Sequence, residues 1–228
     1  MTSNRLRSIA GLALASTVLL TGCDSTPAFN PGVAARVGGE TISLGTVADV
    51  SKAYCSAAAE QFPEGQVLPG HYVSDRVAGT LALRLAADEF AADLGVSADE
   101  EYAQAEEAFR LSLGALTEDQ QEAVVDVEGA STYVGAVQKA AGEKILADEG
   151  RTAGERAARR LGQEAFVAWL DDNDVRIDPR FSVAIVDGEI AGNDTSLSFA
   201  LGQTATAADA GSPDTEYAAA LPESQRCG

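Results

Sequence analysis

The chain has 228 residues, of which 46% are hydrophobic, and it carries a formal net charge of −19 at pH 7 because 35 Asp and Glu residues outnumber 16 Lys and Arg residues. This length allows one domain with a buried core and additional segments. A surface this acidic repels phosphate backbones, so the composition argues against nucleic acid as a partner.

Residues 1–22 have the composition of an export signal. Arg5 and Arg7 give a positively charged start, and Ile9–Leu20 is an apolar run of signal length that is too short to span a membrane. The segment therefore predicts a signal peptide rather than a transmembrane helix.

The apolar run ends in Leu-Thr-Gly-Cys at residues 20–23, which resembles a bacterial lipobox. The resemblance implies cleavage before Cys23 and acylation of its thiol. Two or more acyl chains would then anchor the protein stably on the extracytoplasmic face of the cell membrane. Residues 23–32 are rich in turn-forming residues and predict a tether.

The next segment predicts a hairpin followed by a helix. Ala34–Val37 and Glu40–Ile42 would form the arms around a glycine pair. Ser43 is a favourable N-cap for a helix that runs to about Glu60. Residues 61–70 contain two prolines and two glycines and predict a loop.

A long helix is predicted over residues 71–94, where apolar side chains recur every four positions and Gly95 marks the end. Later helices are predicted from their N-terminal signals, and the last of them runs to about Asp172. These signals are the capping boxes Ser97–Glu100, Thr117–Gln120 and Thr152–Glu155, and Ser131 as a simple N-cap.

Short extended segments bracket the helices. Val175–Asp178 alternates as a strand would, Val183–Val186 is a second strand-like run, and the chain from about Asn193 predicts a poorly structured tail. Val33–Val37 and Val175–Ile177 are each too short to be stable alone, so we expect them to pair and close a mainly α domain.

Two cysteines remain once Cys23 is assigned to the lipid anchor. In an exported protein, such a pair most simply forms a disulfide, here between Cys55 and Cys227. Two independent thiols are the alternative that the sequence leaves open.

Three segments, in this order, resemble landmarks of the SurA-type chaperone domain, which occurs in SurA and PrsA foldases and is related to the trigger-factor C-domain. They are VAARVGGETISLGTV at 33–47, LRLAADEFAADLGVSADEEYAQA at 83–105 and AFVAWLDDNDVRIDPRF at 165–181. The resemblance covers residues 33–181 and implies a helical domain with a short pairing of its N- and C-terminal strands. Residues 182–228 would be a strand-like segment and a flexible tail.

The resemblance implies a holdase or folding factor that binds unfolded or nascent exported polypeptides. Many family members insert a parvulin-type prolyl isomerase domain, but too few residues separate Ile145 from Trp169 to hold one. Isomerase activity is therefore not expected. Two alternatives stay open: an adaptor lipoprotein that docks one envelope partner, and a lipoprotein that binds a small solute, for which the sequence shows no polar pocket.

Signals for catalysis and metals are weak. His71 is the only histidine, so no Ser/His/Asp set can be assembled without it. The acidic run at residues 171–174 does not continue as a calcium loop, because Arg176 and Ile177 stand where a ligand and a glycine are needed. The glycines have no phosphate-binding spacing and are interpreted as turn and cap residues. We predict no catalytic residue, no metal and no cofactor.

Client-binding residues can only be chosen by their type and position, because periodicity does not separate a core stripe from a groove stripe. Aromatic side chains on the helices are the candidates for a groove or its rim: Tyr72, Tyr102, Phe109 and Tyr133. The sequence carries no signal for an oligomeric state.

Overall fold

The computed structural model of the protein describes residues 31–152, 154–193, 202–208 and 213–228, and over these ranges it is mainly helical, as predicted. The predicted signal peptide and Cys23 lie outside the described residues. The helices are α1 (Leu44–Ala59), α2 (Gly70–Leu94), α3 (Glu100–Ser112), α4 (Glu118–Glu128), α5 (Ala130–Asp148), α6 (Glu155–Asp172), α7 (Gln203–Ala208) and α8 (Thr215–Ala220).

The strands are short and pair antiparallel. They are β1 (Val33–Val37), β2 (Glu40–Ser43), β3 (Leu68–Pro69), β4 (Val175–Ile177), β5 (Val183–Val186), β6 (Glu189–Gly192) and β7 (Arg226–Cys227). One sheet has the order β2-β1-β4, and the other two are the pairs β3-β7 and β5-β6.

The pairing of the first and last strands of the helical body is confirmed. Ala35 lies opposite Ile177, and Val37 lies opposite Val175. The preceding hairpin is also present, and its turn uses Gly38 at a φ of 54°, a conformation that favours glycine. Strand β1 therefore satisfies its backbone on both edges, and the sheet joins the two ends of the helical segment.

The predicted N-caps of α1 and α4 and the predicted C-terminal end of α2 are confirmed. Ser43 accepts a hydrogen bond from the Thr46 N–H, and Thr117 and Gln120 form the complete capping box of α4. The C-cap Gly95 of α2 has a φ of 64°, as its position predicted.

Three predicted caps were wrong. Asp99 replaces Ser97 as the cap of α3, because its carboxylate accepts from the Tyr102 N–H. Gly129 replaces Ser131, since it ends α4 and begins α5 at one residue. Gly154 replaces Thr152 at α6 without any side-chain cap bond.

Two apolar clusters form the core, and both involve α2. The first joins α2, α5 and α6 around Phe90, Val137 and Phe166, and the rings of Phe90 and Phe166 are 5.2 Å apart. The second joins β1, α1, α2 and the end of the chain around Val77 and Phe181. Fully burying one such phenylalanine stabilises the fold by about 1.5–3 kcal/mol relative to an exposed ring.

Helices α5 and α6 cross at two glycines, which corrects their interpretation as turn or cap residues. A Cβ atom at Gly142 would lie 1.9 Å from the Ala158 carbonyl oxygen, and one at Gly162 would lie 1.6 Å from the Gln138 carbonyl oxygen. Both residues lie inside helices. The two glycines therefore allow a backbone contact that any side chain would prevent.

The strand-like run at Val183–Val186 forms β5, which pairs with β6 in a hairpin that contacts α2. Beyond Asn193, where the sequence predicts a poorly structured tail, the described residues include α7, α8 and β7, and β7 pairs with β3. The sulfur atoms of Cys55 and Cys227 are 2.20 Å apart, and Cys227 is buried. Local composition did not predict this order because it comes from contacts with distant helices.

Candidate functional site

The structure brings two of the four predicted client-binding residues together. The rings of Tyr102 on α3 and Tyr133 on α5 are 5.4 Å apart. Tyr72 lies in the first turn of α2 and Phe109 near the end of α3, and both are half-buried. Among the described residues, no aromatic contact joins either of them to the tyrosine pair.

The tyrosine pair and two ion pairs attach the N-terminal end of α3 to α5. The Lys139 ammonium lies 2.6 Å from an Asp99 carboxylate oxygen and 3.7 Å from Glu101. Asp99 also caps α3, so one carboxylate serves both the helix end and the contact between helices. The hydrogen bonds from Lys139 and from the Tyr102 N–H hold the pKa of Asp99 below its ordinary value.

Arg84 of α2 lies against this pair. Its guanidinium carbon is 4.9 Å from the centre of the Tyr133 ring, and its Nε is 3.7 Å from the Asp126 carboxylate. Its Nη1 is buried and has no hydrogen-bond partner among the described residues. Arg84 therefore combines a cation–π contact with a loose ion pair and keeps unused donor capacity.

Burial sets the protonation of the groups around Arg84. It raises the pKa of Asp126 above the ordinary carboxyl value, although the Arg84 charge opposes the shift. Burial and the hydrogen bond to Glu106 raise the pKa of Tyr102 to about 12. Burial and the hydrogen bond to Asp88 also raise the pKa of Tyr133 above the ordinary phenol value. Both phenols are therefore neutral donors at physiological pH.

None of the residues of helix α3 is buried, although the helix is 13 residues long. A surface helix normally buries an apolar stripe against the core. Here Phe109 is only half-buried, and Leu111 is 73% exposed, the highest exposure among the large apolar side chains of the described residues. The C-terminal half of α3 thus presents apolar side chains to solvent.

A groove of about 710 Å³ runs between α1 and α4, and we call it the α1–α4 groove. Leu81 of α2 and apolar residues of both helices form part of its wall. Its acidic lining residues are Asp49, Asp119, Glu122 and Asp126. Lys52 is the one cationic side chain among the described residues that line it. The groove therefore favours positively charged groups.

The described residues contain no group of three or more His, Cys, Asp or Glu side chains placed to hold a metal ion. His71 is exposed in the first turn of α2, and Asp174 of the acidic run pairs with Arg176. Across the same ranges, no helix is both long enough and apolar enough to cross a membrane.

Sequence reasoning missed Arg84 and Asp126. They lie on two different helices, α2 and α4, so only their contact in the folded protein shows them as a pair. A charged residue flanked by Leu83 and Leu85 in a buried helix is the signal that could have drawn attention to Arg84.

Comparisons of the chain with protein-family models, with curated proteins and with solved structures gave no match.

Proposed function

We propose that this protein is a lipid-anchored extracytoplasmic chaperone of the SurA type, which holds unfolded or nascent exported polypeptides without isomerase activity. The observation that carries the proposal is helix α3, which has no buried residue and exposes Leu111. Non-covalent capture of unfolded chains needs apolar side chains that remain accessible in the folded binder.

The attachment of α3 suits this role. Its N-terminal end is held by the Tyr102–Tyr133 contact and by the Lys139–Asp99 ion pair, while the half that carries Phe109 and Leu111 has little cover. A client segment could therefore contact the free half without disturbing the core. The acidic α1–α4 groove would favour clients whose apolar segments lie beside basic residues.

The test is suppression of aggregation. Full-length protein in detergent should protect several unrelated unfolded proteins at near-stoichiometric ratios. Leu111→Ser should weaken this protection because it removes the most exposed large apolar side chain. Val186→Ser, on the β5–β6 hairpin, is the matched control, since Val186 is also exposed, at 51%, but lies on another element.

A second candidate function is supported by the small number of large apolar side chains that are exposed to solvent. Among the described residues, the exposed large apolar side chains are Leu111, Val186 and Ile190, and they do not lie on one element. An adaptor that docks one folded envelope partner needs no wider apolar surface. If the protein protects no unfolded protein, and one folded partner is recovered with it, the chaperone proposal is wrong and the adaptor function replaces it.

The lipid anchor has its own test at Cys23. Wild-type protein should carry acyl groups on Cys23 as its first residue, because the preceding Leu-Thr-Gly fits lipoprotein processing. Cys23→Ala should accumulate as an unprocessed precursor. Mass spectrometry of the native protein decides the matter, and a free Cys23 thiol or cleavage at another bond would exclude the anchor.

A further inference from the structure

The last residues of the chain lie across the start of α2. Residues 213–228 contain α8 and β7, and we call them the C-terminal strap. Ala218 of α8 is fully buried and α8 contacts β3, while Cys227 of β7 pairs with Leu68 of β3. The C-terminal strap therefore covers part of the surface that α1, β3 and α2 form.

The surface under the C-terminal strap is apolar, and we call it the strap seat. It consists of Phe62, Val67, Leu68, Pro69 and Val73, of which the last two are buried and the others half-buried. A Cβ atom at Gly228 would lie 3.2 Å from the side chains of Phe62 and Val67, so the end of the chain lies directly on them. Cys227 belongs to the same apolar cluster as Val73. Release of the strap would therefore expose a contiguous apolar patch, which is typical of interaction sites.

Few polar contacts hold the C-terminal strap in place apart from the disulfide. Asp214 caps α8, and Arg226 contacts Ala219 and Glu223, but all of these contacts lie within the strap. Among the residues that the structure describes, no side chain of the strap makes a hydrogen bond or an ion pair with the rest of the chain. The attachment therefore depends on the disulfide, on the two-residue pairing of β7 with β3 and on apolar packing.

A groove of about 780 Å³ leads to the disulfide, since both cysteines are among the residues that line it. The small side chains of Ser51, Ser56 and Ser74 line the same groove and leave room for an approaching thiol. Cys55 is half-buried, whereas Cys227 is only 1% exposed. A thiolate that enters the groove therefore attacks the Cys55 sulfur rather than the Cys227 sulfur.

We propose that the C-terminal strap is a redox-controlled cover of the strap seat, and that a dithiol opens it. One thiolate of the dithiol attacks the Cys55 sulfur, the bond to Cys227 breaks, and the Cys227 thiolate takes a proton from water. The second thiol of the dithiol then attacks the dithiol-derived sulfur of this mixed disulfide and releases Cys55 as a thiol. The protein gains two electrons and two protons, and the dithiol becomes a disulfide.

The uncovered strap seat binds apolar segments of unfolded polypeptides. This role rests on the chaperone function proposed above, and it adds a second client surface to the exposed half of α3. The oxidised protein then holds clients through α3, and the reduced protein holds them through α3 and the strap seat. The β1–β4 pairing does not involve the C-terminal strap, so the helical body stays closed in both states.

Hydrogen exchange measured by mass spectrometry tests the release of the strap. Full-length protein in detergent is compared before and after treatment with dithiothreitol, and free thiols are counted to confirm complete reduction. Exchange should rise by about tenfold or more in residues 61–73 and 213–228 and should stay unchanged in α5 and α6. The double variant Cys55→Ser, Cys227→Ser should give the reduced pattern without dithiothreitol. Unchanged exchange after complete reduction, or an equal rise in α5 and α6, would overturn the proposal.

Suppression of aggregation, with unfolded clients that contain no cysteine, tests the uncovered strap seat. Reduced protein should give the same protection as oxidised protein at about half the concentration or less. Leu68→Ser should remove this gain, whereas Leu111→Ser should lower the protection in both redox states. Protection by the oxidised protein without a gain on reduction overturns the redox control and leaves the chaperone function unaffected. Protection in neither state overturns the chaperone function and the client role of the strap seat together.

Discussion

In this protein, several carboxylates accept hydrogen bonds from tyrosine hydroxyls. Tyr54 donates to Glu128, and Tyr102 donates to Glu106 at 2.5 Å. Tyr133 donates to Asp88 in the same way. With 16 Lys and Arg residues against 35 Asp and Glu residues, cations are too few for every carboxylate. A neutral phenol offers a donor without requiring a charge.

Because these phenols are partly buried as well as hydrogen-bonded, the stability of the protein should depend on pH in the alkaline range. Burial, followed by the hydrogen bond to the carboxylate, raises the pKa of Tyr54 and of Tyr102 from 10.0 to about 12. The folded protein therefore holds the phenol protons more tightly than the unfolded chain. Their contribution to the free energy of unfolding is fully present below pH 10 and is lost as pH rises through 12.

Urea denaturation at several pH values checks this first prediction. The unfolding midpoint should fall between pH 10 and 12, and the fall should be shallower in Tyr54→Phe, which keeps the ring and lacks the titrating hydroxyl. A midpoint with the same pH dependence in both proteins would show that Tyr54 does not contribute.

For the candidate site, the sequence predicts which types of residue take part, but it does not predict which of their side chains contact each other. Residue type and helical position predict Tyr102 and Tyr133 as binding residues, and the structure places their rings in contact. The same reasoning predicts Tyr72, whose ring makes no contact with this pair among the described residues. Their contact depends on how α3 leaves α2 and approaches α5, which no local pattern determines.

The packing of α5 on α6 depends on two residues without side chains. Gly142 and Gly162 lie at the crossing, where backbone atoms of the facing helix occupy the space that a Cβ atom would need. Gly135, on the same helix α5, has no closer neighbour for a Cβ than Arg159 Nη1 at 3.9 Å. Helix α5 therefore contains one glycine whose position excludes a side chain and another whose position has room for a methyl group.

The second prediction compares alanine at these two positions. Gly135→Ala should stabilise the protein by about 0.5–1 kcal/mol, because alanine is the better helix former. Gly142→Ala should destabilise it by about 2–4 kcal/mol, because the helices must separate to admit the methyl group. Denaturant unfolding of both variants is the measurement. If Gly142→Ala is as stable as Gly135→Ala, the close crossing is absent in solution.

Element boundaries were predictable where local chemistry alone decides them. The Thr117 capping box and the Gly95 terminus follow from side-chain oxygens and backbone freedom within one turn. The caps Asp99, Gly129 and Gly154 were not predicted, because Asp99 lies two residues from another favourable cap and the two glycines make no side-chain cap bond. Strand β7 is an extreme case, since its two residues are extended through pairing with β3.

At the scale of the whole molecule, two closures join distant parts of the chain. The β1–β4 pairing connects the ends of the helical body, and its prediction needed only the recognition that two short strands bracket the helices. The β3–β7 pairing and the Cys55–Cys227 contact connect the end of the chain to α1 and α2. The cysteine count predicted the second link, but not the order that accompanies it around buried Ala218.

The disulfide between Cys55 and Cys227 is the third prediction. The two residues are 172 positions apart, and the chain-entropy model gives about 5 kcal/mol for closing a loop of this length. The double variant Cys55→Ser, Cys227→Ser should therefore unfold at a clearly lower guanidinium concentration and should be cut by protease near its C-terminus. Wild-type protein under reductant should behave in the same way, because both treatments remove the covalent link and leave the end of the chain held by non-covalent contacts alone. Thiol labelling of the folded protein without reductant tests the bond directly: reactive thiols at both positions would contradict it, and so would a double variant as stable as the wild type.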